Sequence, residues 1–142
     1  MRFLLAIAAS LLGLACSPAE QTLQQAACLP FGPRTVTLSG KAVTRMFPGP
    51  PDFKNIDNGD AAENALLLQL DAPICVAAAT GVGSNVVEER EIREIQLLPQ
   101  SSYKAAYSLA GLRVTATGPL FHAQTGHHHT KVLMTLQRIS PE

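Results

Sequence analysis

The 142-residue chain predicts an all-β domain with one short helix, and three features carry that reading. Five stretches alternate apolar and polar residues with the period of two that a half-buried strand requires. A glycine, Gly40, interrupts the first of them. The one good helix former, YKAAYSLA from Tyr103, falls between the third and fourth. Three strands, a helix and two more strands, with a bent first strand, is the layout of an OB-like five-stranded, partly open Greek-key barrel.

The first strand is read at Thr35 to Phe47, with Val36 and Leu38 on one parity, Gly40 next, and Val43 resuming on the other. A glycine inside a strand marks a bulge or sharp bend, so one long curved strand is expected to serve two faces of the barrel. Pro48 to Asn64 is rich in Pro, Gly, Asp and Asn and reads as a long loop, a kind often functional in compact domains. Ala65 to Val76 is the second strand, with Leu66, Leu68 and Leu70 in phase, and AAATGVGSN after it reads as a mobile connection. In EEREIREIQLL a charged turn is expected to lead into a short third strand, Arg93 to Leu98. Ile95 and Leu97 would face inward and Glu94 and Gln96 outward. Ser101 and Ser102 offer an N-cap to the helix, whose Tyr103, Ala106, Tyr107 and Ala110 share one side, and Gly111 ends it. The fourth strand is read at Leu112 to Phe121 and the fifth at Thr130 to Ile139.

Met1-Arg2 followed by FLLAIAASLLGLA has the charge, length and small-residue ending of a signal peptide, and the apolar run is too short to span a bilayer. A signal peptide over residues 1–19 is therefore expected, cut near 15/16 or 19/20. A polar tether at 20–27 and a single domain at 28–142 follow it. Gly13-Leu14-Ala15-Cys16 loosely resembles a lipobox, which would acylate Cys16 and make an outer-membrane lipoprotein. Its Gly13 departs from the usual Leu, and ordinary cleavage gives a periplasmic or secreted protein instead. Membrane contact is expected only through that anchor.

Three cysteines leave one to explain in an exported chain. With Cys16 lipidated or cleaved away, Cys28 and Cys75 pair naturally in an oxidising compartment; two buried free thiols are the alternative. Acidic and basic residues balance at eleven each, without a cluster of Lys or Arg, which argues against a nucleic-acid partner.

All four histidines, His122, His127, His128 and His129, lie within one segment, FHAQTGHHHT, between the last two strands. With CLPFGPRTVTLSG, FPGPP, LDAPICV, IREIQL and LAGLRVTATGPL, this segment resembles an uncharacterised bacterial family, domain-of-unknown-function family 4431. The resemblance runs from Cys28 to nearly the C-terminus. Gln124 stands where such relatives usually carry a second His, so position 124 is not read as a ligand. The resemblance implies a small exported domain and implies no reaction.

In a barrel of this kind, the loop between strands one and two and the loop between strands four and five flank one binding face. Here these loops carry Asp52, Asp57, Asp60 and Glu63 on one side and the histidines on the other. Imidazole is a common ligand of zinc and copper, and three suffice for an open site. On an extended backbone His127 and His129 project to one side. They are the expected metal ligands for a Zn or Cu ion, with His122 as third and Asp57 or Asp60 in support. No nucleophile elbow or closely spaced carboxylate pair accompanies them. The expectation is an exported, non-enzymatic binding module for a metal ion, a small ligand or an envelope protein. The alternative is a structural or interaction protein whose histidines only buttress the loop.

Overall fold

The computed structural model describes residues 27–81, 84–101 and 103–142. The expected signal peptide, the tether up to residue 26, Cys16 and the N-cap residue Ser102 lie outside the described residues.

The fold is mostly β-sheet with one short helix. In chain order the elements are β1 (Thr35–Pro48), β2 (Ala62–Val76), β3 (Ala79–Gly81), β4 (Ser84–Val86), β5 (Glu89–Pro99), α1 (Tyr103–Tyr107), β6 (Arg113–His122), β7 (Val132–Leu136) and β8 (Arg138–Pro141). The main sheet runs β1-β2-β5-β7-β6-β8, and a further pairing of β1 with β6 closes its first five strands into an irregular ring. All pairs in the ring are antiparallel except β5 with β7, which is parallel from Gln96↔Leu133 to Pro99↔Leu136.

Closure depends on β1. Its first half pairs with β6, from Thr35↔Pro119 to Lys41↔Arg113, and its second half with β2, from Gly40↔Leu70 to Pro48↔Ala62. The hand-over falls on Gly40, where the backbone of β2 comes so close that a Cβ would collide with the carbonyl oxygen of Gln69. The bend expected at this glycine is present, and its cause is a backbone approach that only glycine permits.

Alternation then sorts the side chains. Leu66, Leu68, Ile95, Leu97, Val132 and Met134 fill the ring interior, and Ala106 of α1 joins that core. Tyr107 of α1 donates from its hydroxyl to the Asn64 carbonyl at 2.9 Å, and partial burial raises its pKa. Residues of the other parity, Leu67 and Leu133, are equally buried yet lie outside this core.

Four local expectations are corrected. The third strand begins at Glu89, not Arg93, because Glu89 pairs with Val76 and Ile92 with Ile74 across an irregular stretch of β2. Glu91 takes a left-handed φ of 54° within that stretch. The connection read as mobile contains the β3–β4 pairing, Ala79↔Val86 to Gly81↔Ser84. The helix stops at Tyr107 and the chain continues in turns to Gly111, whose φ of 93° is left-handed. The fifth strand breaks at Gln137: β7 pairs Leu120↔Met134 but β8 pairs Thr117↔Arg138, one residue out of step. Gly118 sits at this slip, where a Cβ would collide with the Thr135 carbonyl oxygen.

A disulfide joins Cys28 to Cys75, with 4.7 Å between their Cα atoms. Leu29 N–H donates to the Cys75 carbonyl at 2.8 Å, and Ala77 N–H to the Leu29 carbonyl at 2.8 Å, so the segment before β1 is fastened to the end of β2. Gly40→Ala is expected to cost about 2 kcal/mol or more in urea unfolding, as overpacking against rigid backbone does. A variant as stable as the parent would mean that β1 does not pass that closely over β2.

Candidate functional site

The ring brings the two loops named in the sequence together. The β1–β2 loop is folded around Asp60, whose carboxylate accepts three backbone N–H groups, from Asp52 (2.8 Å), Lys54 (2.7 Å) and Asn55 (2.8 Å). Those bonds, the one from Asn55 foremost, hold its pKa below the ordinary carboxylate value. Asn55 caps the short 3₁₀ turn Ile56–Asn58 through its side chain, and Gly59, with φ 105°, ends it.

The β6–β7 loop lies across the outside of the ring. Gln96 points outward from β5, between Leu67 and Leu133 in register, yet is only 5% exposed. Its amide accepts from His129 N–H at 2.7 Å and donates to the His127 carbonyl at 3.1 Å. Its backbone N–H donates to the Thr130 hydroxyl at 2.9 Å, and that hydroxyl donates to the Val132 carbonyl. One side chain thus satisfies the loop backbone as a neighbouring strand would. Leu67 and Leu133 beside it are sealed from water although they face outward.

Each histidine of the loop meets its own phenylalanine. His129 stacks on Phe47 at 4.1 Å between centroids and 2° between planes. His127 meets Phe53 edge-on at 4.9 Å, His128 meets Phe121 at 5.3 Å, and His122 meets Phe31 at 6.3 Å. Gly126 lies so close to the Phe53 ring that a Cβ would overlap it.

The polar atoms of the rings divide into three groups. His128 Nδ1 accepts from the N–H groups of Gln124 (2.8 Å) and Thr125 (3.3 Å). A nitrogen so used carries no proton, and burial, followed by the nearness of His127 and His129, lowers the pKa of this ring. His122 Nε2 lies 3.3 Å from Glu89 Oε1, and Lys131 Nζ lies 3.2 Å from Glu89 Oε2. His127 Nδ1 lies 2.5 Å from Glu63 Oε1, and His129 Nε2 lies 3.3 Å from Oε2 of the same carboxylate. That last pair is buried and lacks the alignment of a hydrogen bond, so neither atom has a hydrogen-bond partner among the described residues.

The residues of the expected metal set are divided by this arrangement. His127 and His129 do reach one group, but His122 does not join them. It follows Phe121 on a strand, so it faces the other side of the sheet and belongs to Glu89. Asp60 has both oxygens engaged by its own loop, and Asp57 is exposed on the 3₁₀ turn. Of the carboxylates singled out in the sequence, Glu63 alone is brought to the imidazoles, because it pairs with Phe47 and so shares a face with the ring that His129 stacks on. Among the described residues, no three His, Cys, Asp or Glu side chains are already gathered in coordinating geometry. Two grooves lie elsewhere among the described residues. One is a cavity of about 480 Å³ between α1 and β8, and the other, of about 510 Å³, lies beside Cys75.

Residues 94–140 match the family model described as a domain of unknown function, DUF4431. Over that stretch, about a third of the chain, the sequence is similar to that family. The matched segment holds Gln96 and the whole histidine loop, whereas Glu63, Phe47 and Phe53 precede it. No curated protein matches the chain.

Gln96→Ala would strand the His129 N–H and the His127 carbonyl, and is expected to cost about 2 to 4 kcal/mol while opening residues 123–131 to hydrogen exchange. Unchanged protection there would contradict the clamp. Because the folded pKa of Asp60 is depressed, its contribution is present above the ordinary value of 3.8 and is lost as pH falls through the lower folded value. The Lys54 and Asn55 amides should therefore stay protected somewhat below pH 3.8 in the parent. In Asp60→Ala they should be unprotected even at neutral pH.

Proposed function

We propose that the chain is an exported, non-enzymatic binding module whose ligand site is the rim where the β1–β2 and β6–β7 loops meet. The observation that carries this reading is the shared carboxylate of Glu63, which faces two imidazoles at once and leaves one buried contact without a hydrogen bond. An arrangement that served only to brace the loop would satisfy both atoms, since an orphaned buried polar group costs about 1–3 kcal/mol.

The ring supports an OB-like reading in finer detail. Strand order β1-β2-β5-β7-β6 back to β1, with β5 and β7 parallel, supports the Greek-key reading once the small β3–β4 hairpin is set aside. On that reading the rim loops are the ligand loops of the fold, and the histidine loop folds down onto the face they flank. Export is supported by the leader sequence and by the Cys28–Cys75 bridge, which suits an oxidising compartment. Lipidation at Cys16 remains part of this proposal as the route to a membrane.

The alternative, that the histidines only buttress the loop, rests on the one-to-one pairing of His and Phe and on the Nδ1 of His128, which holds the loop backbone. Hydrogen exchange of the chain with and without a low-molecular-mass envelope extract separates the two. The binding reading expects added protection confined to residues 49–61 and 123–131. Protection at the α1–β8 cavity alone would contradict it.

A further inference from the structure

We infer that the ligand of the rim is a divalent transition-metal ion of the zinc class, held between His129 Nε2 and Glu63 Oε2 with His127 as third ligand. The inference rests on the rim being the ligand site and names what it takes.

Two observations point to an ion at this position. The side chain of His129 is 93% buried, and its Nε2, aimed at the Glu63 carboxylate, has no hydrogen-bond partner among the described residues; Glu63 Oε2 is buried and equally without one among them. The spacing of that pair also suits an ion. With zinc about 2.1 Å from a nitrogen and from an oxygen ligand, a separation of 3.3 Å gives an N–metal–O angle of roughly 104°, close to tetrahedral. The contact of His127 Nδ1 with Oε1, at 2.5 Å, is too short for the same ion to bridge at a comparable angle. His127, 56% exposed, would have to exchange its contact with Oε1 and its edge-on contact with Phe53 for the ion, and a water takes the open fourth position.

The surroundings supply what a metal centre asks of its second shell. The His129 ring is fixed flat against Phe47, and the backbone of both ligand histidines is clamped by Gln96. Glu63 is fixed by its place in β2 opposite Phe47. The set is thus two nitrogens and one carboxylate, a mixture that zinc accepts in open sites. His128 is excluded because its Nδ1 is spent on the loop backbone, and His122 because it faces Glu89.

The test is a calorimetric titration of the full chain, disulfide intact and stripped with chelator, with Zn²⁺, and with Co²⁺ followed by visible absorption. One equivalent is expected to bind, with the intense Co²⁺ bands of four-coordination and a rise in the unfolding temperature on adding zinc. Glu63→Gln, nearly isosteric, and His127→Ala, at an exposed position, should each weaken zinc by at least about 10-fold, because even outer partners of a metal cost that much. His122→Ala should bind as the parent does. Zinc affinity unchanged in Glu63→Gln, or lost in His122→Ala, would overturn the assignment. If zinc fails to bind the parent while envelope extract still protects the rim loops, the ion is wrong and the rim stands. If both fail, the rim reading falls as well.

Discussion

At Gly40 two backbones approach too closely for any side chain, and the closed ring depends on that approach. β1 can hand over from β6 to β2 only there, and the hand-over turns a folded-back sheet into a ring. Gly118 repeats the device on the far side, where the last strand slips by one residue against β6. Each glycine gives up the packing of a side chain and gains hydrogen-bonded closure, which removes exposed sheet edges. The β1–β2 loop and the β6–β7 loop meet because the latter crosses β5 at Gln96 and reaches Glu63 at the start of β2.

What settles the histidine loop is less its sequence than the surface it lies on. A nine-residue stretch with its own polar backbone has to find partners when it covers apolar strands. Gln96 supplies two of them from the middle of an outward row that includes Leu67 and Leu133. The ring pairs with Phe47, Phe53 and Phe121 then fix side-chain positions, each contact of this kind being worth about 0.5–1.5 kcal/mol beyond its buried area. His128 is committed to the loop itself, His122 to Glu89, and only His127 and His129 face a common acidic group. His127 and His129 thus meet Glu63 in addition to their phenylalanines, whereas His128 and His122 are spent elsewhere.

Much of this was legible in the chain. Alternation located all five ring strands, the interruption at Gly40 marked the bend, and the count of cysteines picked Cys28 with Cys75. His127 and His129, expected to project to one side of an extended backbone, both reach Glu63, although His127 lies in a turn closed by the His128 N–H to Thr125 carbonyl bond. Other features depended on partners that sequence order does not reveal. Gln96 was read correctly as outward, but its burial comes from a loop more than thirty residues away. Glu63 stood as one carboxylate among four, and only the register with Phe47 distinguishes it. His122 was expected to reach the others from across the hairpin, but strand parity sends it to the opposite face, beside Glu89. Asp60 was a candidate ligand because its loop flanks the histidines, but its carboxylate is used by three N–H groups of that same loop.

The central claim is that the histidine loop is seated on the outer face of the ring through the stack of His129 on Phe47. A double-mutant cycle on unfolding free energy, with Phe47→Leu, His129→Leu and the pair, tests that contact directly. The account predicts a coupling of about 0.5–1.5 kcal/mol between the two sites. Effects that add to within about 0.3 kcal/mol would show that the loop does not rest there.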